Sequence, residues 1–307
     1  MAQMTRSDAL HLASALVQDL ASRAGARVLF IKGLVANEYG FRQSYLPADI
    51  DVLVAPADAE RVLDVLGRAG WVARPETTIA TAASAHSVAL VHPSWPCDLD
   101  IHRYFPGFAS DPVLVYERLW VRRTEMEFGG MRCAVPDRAS AVLITALHCL
   151  RHDGLSARAL RELQSVTEEV RRWSNPERHD LTTLAEATGS AGPLNGWLSA
   201  LGMRVDFVPT AALRDWHTRR VAGDVFAGNL IAELAKPGLA RRIRLLGLAF
   251  WPRSDELRAI YGEPEASSIR VLLLRLARWA RGIRQGPAAL RAIRQAGLGC
   301  GSRSRGS

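Results

Sequence analysis

The spacing of apolar positions in the first part of the chain changes repeatedly between a helical and a strand period. Leu10, Leu16, Val17 and Leu20 follow one helix face, with Ser7 as a candidate N-cap. Runs rich in β-branched residues then alternate with short helical stretches. The pattern predicts helices over 7–24, 34–41 and 56–69, strands over 27–32, 49–54, 71–74, 86–91 and 97–104, and a hairpin over 126–135 around Gly129-Gly130.

From Pro136 onward the spacing is almost wholly helical, with glycine, proline and asparagine between the segments. The predicted helices are 137–152, 157–173, 180–188, 192–202, 211–222, 225–236, 239–250 and 266–284. The sequence therefore predicts an α+β fold. We expect an α/β domain with a mixed sheet over 1–135, an α-helical domain over 136–295, and a disordered tail over 296–307.

Composition supports a folded protein, because 48% of the 307 residues are apolar and 23% are charged. The net charge of +8 is unevenly distributed. Residues 1–238 carry 25 Lys and Arg against 27 Asp and Glu, whereas residues 239–307 carry 14 against 4, a net +10. The basic character therefore belongs to the C-terminal region, and we do not expect nucleic acid as the main partner.

Cysteine usage and hydropathy indicate a cytoplasmic protein. The four cysteines lie far apart without a C-x-x-C motif, so neither a disulfide framework nor a zinc knuckle is predicted. No secretory signal and no run of 18 apolar residues occurs, so no transmembrane segment is expected. His148 and His152 are spaced like zinc ligands, but we interpret them as a partly buried, hydrogen-bonded pair, because position 149 is Cys and not the Glu that would act as the base.

The segment 269–284 places five arginines among leucines. Such a helix can lie on an anionic membrane, bind nucleic acid or contact a partner. We interpret it as the outer helix of a bundle with a solvated arginine face. Leucines at 272, 273, 274 and 276 are expected to bury it against neighbouring helices.

Two pairs of carboxylates carry the candidate chemistry. Asp49 and Asp51 are two apart on a predicted strand, so both point to one face with Cα atoms about 6.6–7 Å apart. Asp98 and Asp100 repeat the pattern. Like charges so placed repel unless a cation lies between them, and oxygen ligands suit Mg²⁺. We therefore expect asparagine at 49 or 51 to leave the metal-free stability equal or higher. Either pair alone is also compatible with a solvated strand edge.

These motifs resemble a known family. Ile31-Lys32-Gly33, Asp49-Ile-Asp51 and Asp100-Ile-His102 resemble the polymerase-β-like nucleotidyltransferase superfamily. Within it they are similar to the bacterial group labelled uncharacterised nucleotidyltransferase, in which Lys-Gly stands in place of Gly-Ser. The resemblance covers residues 26–104 and implies a polymerase-β-like mixed sheet followed by a helical domain.

The resemblance also implies an activity and a set of site residues. The activity is metal-dependent transfer of a nucleoside monophosphate from a nucleoside triphosphate, with ATP taken as the donor, to an acceptor hydroxyl. Asp49 and Asp51 would hold two Mg²⁺ ions, and Asp100 would be the third, catalytic carboxylate, with Asp98 as the alternative. Lys32 and Gly33 would contact the triphosphate.

The acceptor stays open among a small molecule, a peptide and a protein. A different class of function is also compatible with the sequence. The chain would then be a non-catalytic module of nucleotidyltransferase-like fold that binds nucleic acid or a partner through its basic C-terminal region. Intact carboxylates at 49, 51 and 100 favour the enzyme.

Overall fold

The computed structural model describes residues 4–42, 46–75, 86–151, 155–222, 230, 233–234 and 238–301. The chain forms two compact units. Nearly all described residues up to Leu213 belong to the first unit, and those from Arg214 onward belong to the second. The first unit therefore includes the sheet together with helices beyond residue 135. The predicted domain boundaries at 135 and 295 stay predictions.

A five-stranded mixed sheet forms the centre of the first unit. Its strands are β1 (Val28–Ile31), β2 (Asp49–Val54), β3 (Val72–Ala73), β4 (Ser87–Val91) and β5 (Asp98–His102), in the order β1-β2-β5-β4-β3. β2 and β5 run parallel, and the other neighbouring pairs are antiparallel. All of β1 and all of β2 beyond Asp49 are buried, which explains their runs of apolar residues. The predicted α+β fold with a mixed sheet is confirmed.

Three helices accompany these strands: α1 (Arg6–Arg23), α2 (Gly33–Glu38) and α3 (Ala59–Arg68). α1 buries Leu10, Ala13 and Val17 in the core shared with the sheet. The predicted N-cap Ser7 is wrong. Thr5 is extended, and its hydroxyl accepts a hydrogen bond from the Asp8 backbone N–H at 3.1 Å, so the helix begins earlier.

A hairpin of β6 (Thr124–Phe128) and β7 (Met131–Val135) confirms the predicted turn. Gly129 and Gly130 have φ values of 57° and 77°, which two-residue hairpin turns of this kind require. A Cβ on Gly129 would lie 2.7 Å from the backbone oxygen of His11. Glycine therefore also permits the close approach of the turn to α1.

Further helices in the described residues up to 222 are α4 (Pro112–Val121), α5 (Arg138–Cys149), α6 (Ala157–Arg172), α7 (Asn175–Ala187), α8 (Ala191–Ala200) and α9 (Ala211–Ala222). The sequence analysis missed α4, whose valines and aromatic residues resemble a strand. Its start is marked by Asp111, which accepts from two backbone N–H groups, and by Pro112 in the first turn. In α5 all residues but Arg138 and His148 are buried, so it forms the centre of the helical layer.

The second unit contains α10 (Leu239–Phe250), α11 (Ser254–Tyr261) and α12 (Ser268–Gly301). Helix α11 was not predicted from the sequence, and the helix predicted over 225–236 lies largely outside the described residues. Of the four leucines expected to bury α12, only Leu274 is buried, so the prediction is wrong for the other three. Neighbouring contacts cover one side only: Arg275 donates to the Pro252 carbonyl at 3.0 Å and lies over the Trp251 ring.

A buried ion pair anchors the segment that leads into β2. The Arg42 Nε lies 2.9 Å from Glu162 Oε1 of α6, and both side chains are almost fully buried. The Arg158 Nε donates to the same oxygen at 2.8 Å. This contact ties Arg42, which follows α2, to the helical layer.

Among the residues that the structure describes, no helix combines the length and the apolar character needed to cross a membrane.

We predict that Glu162→Ala lowers the free energy of unfolding by about 3 kcal/mol, because it removes the countercharge of a buried guanidinium. Urea denaturation followed by circular dichroism measures the change. Glu168→Ala, on an exposed position of the same helix, is the control and should change the value by less than about 0.5 kcal/mol. Equal effects of the two substitutions would contradict the anchoring role.

Candidate active site

The parallel pairing of β2 with β5 brings the two acidic motifs side by side. In the register of the pair, Asp49 lies opposite Asp98 and Asp51 lies opposite Asp100. Side chains two apart on a strand share a face, so His102 projects on the same side as Asp100. The two motifs are almost fifty residues apart in sequence, and only this pairing makes them neighbours.

Asp51, Asp100 and His102 form a tight cluster at this place. The His102 Nε2 lies 2.9 Å from Asp51 Oδ1 and 3.2 Å from Asp100 Oδ2. One ligand atom from each residue lies within 4.8 Å of the others. Asp51 and His102 are buried, whereas Asp100 keeps 24% of its side chain exposed. The imidazole is therefore shared by two carboxylates, and the cluster opens to solvent on the Asp100 side.

Lys32 adds a second cation to the cluster. It follows β1 directly, and its ammonium forms an ion pair with the Asp51 carboxylate. The ammonium also lies 5.6 Å from the centroid of the Phe105 ring. Lys32 has a φ of 53°, the only positive φ at a non-glycine residue in the described chain. Such a conformation costs about 1–3 kcal/mol and persists where surrounding contacts hold it.

Burial and the neighbouring charges shift the pKa of each ionisable group in the cluster. Burial favours the neutral form of Asp51, but the Lys32 ammonium and the His102 hydrogen bond outweigh it and hold the pKa of Asp51 well below its usual range. Asp100 follows the same logic, with burial opposed by His102, and its pKa is lowered. Burial alone would lower the pKa of His102, but hydrogen bonds to Asp100 and Asp51 raise it. The cluster therefore favours ionised carboxylates on Asp51 and Asp100, and these carboxylates favour the protonated form of His102.

Asp49 differs from Asp51 in its surroundings. Burial and the charge of Asp51 raise the pKa of Asp49, and Lys32 only partly opposes them. Its carboxylate is not one of the three groups that cluster within 4.8 Å in the described residues. Asp49 is thus the carboxylate of this edge that an additional cation would stabilise most.

The two candidates for a third carboxylate have different partners. Asp98 forms an ion pair with Arg74, which follows β3. Asp100 instead contacts His102 and lies beside Asp51.

The other predicted site residues lie at separate places. Gly33 begins α2 with a φ of 35°, a backbone conformation that favours glycine. A Cβ at this position would lie 3.6 Å from the Asp49 carbonyl oxygen, an ordinary contact, so lack of space does not require the glycine. His148 lies half-buried in α5, and His152 lies outside the described residues.

The donor set of the cluster fits a divalent cation. Two carboxylates and one imidazole are ligands that divalent metals accept, and Asp49 supplies a further oxygen on the same strand as Asp51. Sequence reasoning missed the central position of His102 and the contacts of Phe105 and Arg74. The alternation Asp98, Asp100, His102 along one strand face was the signal that could have identified the histidine.

The sequence matches the protein family described as uncharacterised nucleotidyltransferase over residues 2–199. No curated protein matches the sequence.

Solved structures with weak similarity include an antigenic nucleotidyltransferase-like protein from Paracoccidioides brasiliensis. It is 12% identical with a TM-score of 0.40, covering 65% of this chain and 95% of that one. A tRNA-processing enzyme in its apo form is 12% identical with a TM-score of 0.27, covering 92% of each chain. A tRNA nucleotidyltransferase complexed with a primer tRNA and an incoming ATP analogue is 12% identical with a TM-score of 0.25, covering 92% and 99%. At these TM-scores the similarity in shape carries no argument about this chain.

We predict that the two aspartates of β2 respond oppositely to neutralisation, contrary to the equal behaviour expected from the sequence. Asp51→Asn should lower the metal-free unfolding free energy by about 3 kcal/mol, because Lys32 and His102 lose their shared countercharge. Asp49→Asn should leave it within about 0.5 kcal/mol or raise it, because the pKa of Asp49 is already raised. Urea denaturation at pH 7 in the presence of a chelator measures both values. Equal changes would contradict the charge assignment.

Proposed function

Because this chain belongs to the nucleotidyltransferase family that it matches over residues 2–199, we propose that it transfers a nucleoside monophosphate from a nucleoside triphosphate to an acceptor hydroxyl. We propose ATP as the donor, Mg²⁺ as the metal, and a small molecule or a peptide as the acceptor. The observation that carries the proposal is the register of β2 and β5, which sets Asp51 beside Asp100 with His102 between them.

The carboxylates are the residues that would hold the metal. Asp49, Asp51 and Asp100 would bind two Mg²⁺ ions, with Asp100 as the third carboxylate because Arg74 engages Asp98. Two such ions, when bound, neutralise charge on the attacking and leaving oxygens of an in-line displacement. The His102 imidazole holds Asp51 and Asp100 in a fixed relation, since its Nε2 contacts both. We therefore assign His102 a positioning role.

Asp100 is the carboxylate of this set that faces the acceptor in the proposal. It keeps partial exposure, whereas Asp51 is buried. A hydroxyl that approaches the cluster can donate its hydrogen bond to Asp100, and this contact favours loss of its proton during attack. The lowered pKa of Asp100 keeps the carboxylate ionised and able to accept that hydrogen bond at neutral pH.

Lys32 and Gly33 are proposed to contact the triphosphate. The Lys32 ammonium is already held at the edge of the cluster by Asp51, so its position is fixed before a nucleotide binds. An ammonium acts as a compact point charge on phosphate oxygens. Gly33, next in the chain, presents backbone without a side chain beside the Asp49 carbonyl.

We predict that Asp51→Asn and Asp100→Asn each lower nucleotidyl transfer by about 10³-fold, because each removes a ligand of the metal that stabilises the transition state. Asp98→Asn, on the same strand as Asp100, is the matched control and should keep the rate within about threefold. Mass spectrometry of candidate acceptors, incubated with each of the four triphosphates and Mg²⁺, detects the added nucleotide. A near wild-type rate for Asp51→Asn or Asp100→Asn would contradict the assignment.

We predict that Lys32→Ala weakens binding of a non-hydrolysable triphosphate by about tenfold and weakens binding of Mg²⁺ alone less. Lys32→Arg should restore part of the affinity, since its planar guanidinium differs in shape from an ammonium. Calorimetric titration measures both ligands, with Arg74→Ala as the control that removes a cation paired with Asp98. An unchanged dissociation constant in Lys32→Ala would make Lys32 a structural residue only.

A further inference from the structure

The first half of the long C-terminal helix exposes an apolar face. In α12 the exposed residues Ile269, Leu272, Leu273, Leu276 and Ile283 follow helical spacing on one side, and between 42% and 75% of each is exposed. The opposite side is buried through Val271, Leu274 and Arg275. The helix therefore packs against its own unit on one side and presents hydrocarbon to solvent on the other.

Helix α10 shows the same arrangement independently. Leu239, Ile243, Leu246 and Phe250 recur at helical spacing, and between 39% and 74% of each is exposed. Leu245 is the residue of this helix that the structure buries. Trp251, which directly follows the helix, is also more than half exposed.

The two apolar faces meet at a group of aromatic rings. The Trp279 indole N–H of α12 donates to the Phe250 carbonyl oxygen at 2.7 Å. The rings of Phe250 and Trp251 each lie 6.1 Å from the Trp279 ring. We name the exposed residues of α10 and α12 together with these three rings the C-terminal apolar surface. Exposed apolar patches of this extent mark interaction sites in proteins.

Charge identifies the kind of partner that fits this surface. The sequences 239–250 and 268–301 contain ten arginines and no aspartate or glutamate. Residues 239–307 together carry a net charge of +10. A second copy of the same surface would bring like charges together, so self-association is disfavoured. The partner must combine an apolar interior with a negatively charged boundary.

We propose that α10 and α12 bind an anionic lipid bilayer, with their apolar faces inserted at the headgroup level and their arginines on lipid headgroups. Leucine, isoleucine, phenylalanine and tryptophan on one face, with exposed arginines such as Arg244 and Arg284 outside it, are typical of helices that lie in the membrane interface. Nucleic acid would satisfy the arginines but leave the apolar residues in water. The surface and the carboxylate cluster consist of different residues, so the proposal does not depend on the proposed transfer reaction.

Vesicle flotation with the full chain tests the proposal. We expect binding to vesicles that mix phosphatidylcholine with phosphatidylglycerol and much weaker binding to phosphatidylcholine alone. Leu273→Glu combined with Leu276→Glu should weaken binding by roughly tenfold or more, because two apolar side chains can no longer insert into the lipid. Arg244→Gln combined with Arg284→Gln removes two positive charges that attract anionic headgroups. Because each charge contributes about fivefold to the affinity, the double substitution should weaken binding to the anionic vesicles by about 25-fold.

Matched controls come from an exposed helix of the first unit. Leu114→Glu and Arg118→Gln on α4 change the same residue types at exposed positions and should leave vesicle binding unchanged. All substituted side chains are exposed, so circular dichroism and the urea midpoint should match the wild type.

Three results would overturn the proposal. The first is equal binding to anionic and neutral vesicles, or binding to neither. The second is salt-sensitive binding to RNA or DNA by a chain that does not bind vesicles. The third is a dimer, detected by light scattering without lipid, that the Leu273→Glu and Leu276→Glu substitutions dissociate.

Discussion

The pairing of β2 with β5 is the constraint on which the candidate site depends. Parallel strands need a long crossover, and here the chain passes through α3, β3 and β4 before it returns as β5 beside β2. A shift of one residue in register would turn every second side chain to the opposite face and separate Asp51 from Asp100. The buried apolar residues of both strands fix that register, so core packing and the geometry of the acidic cluster have the same cause.

The cluster carries its own counterions. Asp51 lies in the core yet stays ionised, because a lysine and a histidine from two other positions of the chain contact it. Buried charges of this kind are tolerated only when they are paired and hydrogen-bonded. The strained backbone at Lys32 belongs to the same arrangement, since the ion pair holds the residue in a conformation that it would otherwise leave.

Local sequence patterns predicted most of the helices and strands. Side-chain burial and the surroundings of the aspartates depend on long-range contacts, which local patterns do not contain. The run 49–54 and the Gly129-Gly130 turn were predicted at their observed positions, because strand alternation and turn chemistry are local. The helix α4 was missed, because the spacing of its valines and aromatic residues is compatible with both a helix and a strand. The burial of α12 could not be read from its leucines, since the sequence does not say which side its neighbours cover. The contrast between Asp49 and Asp51 likewise depends on Lys32 and His102, which the sheet brings in from elsewhere.

The ion pair of Lys32 also has a consequence for covalent chemistry. The chain has 39 basic residues, and only Lys32 and Lys236 are lysines, so primary amines are scarce in this protein. The Lys32 side chain is only 9% exposed, and its ammonium is held against the Asp51 carboxylate. Acylating reagents therefore encounter a protected nucleophile at Lys32 while the pair is closed. The reactivity of this one side chain reports whether Asp51 has exchanged its ammonium partner for another cation.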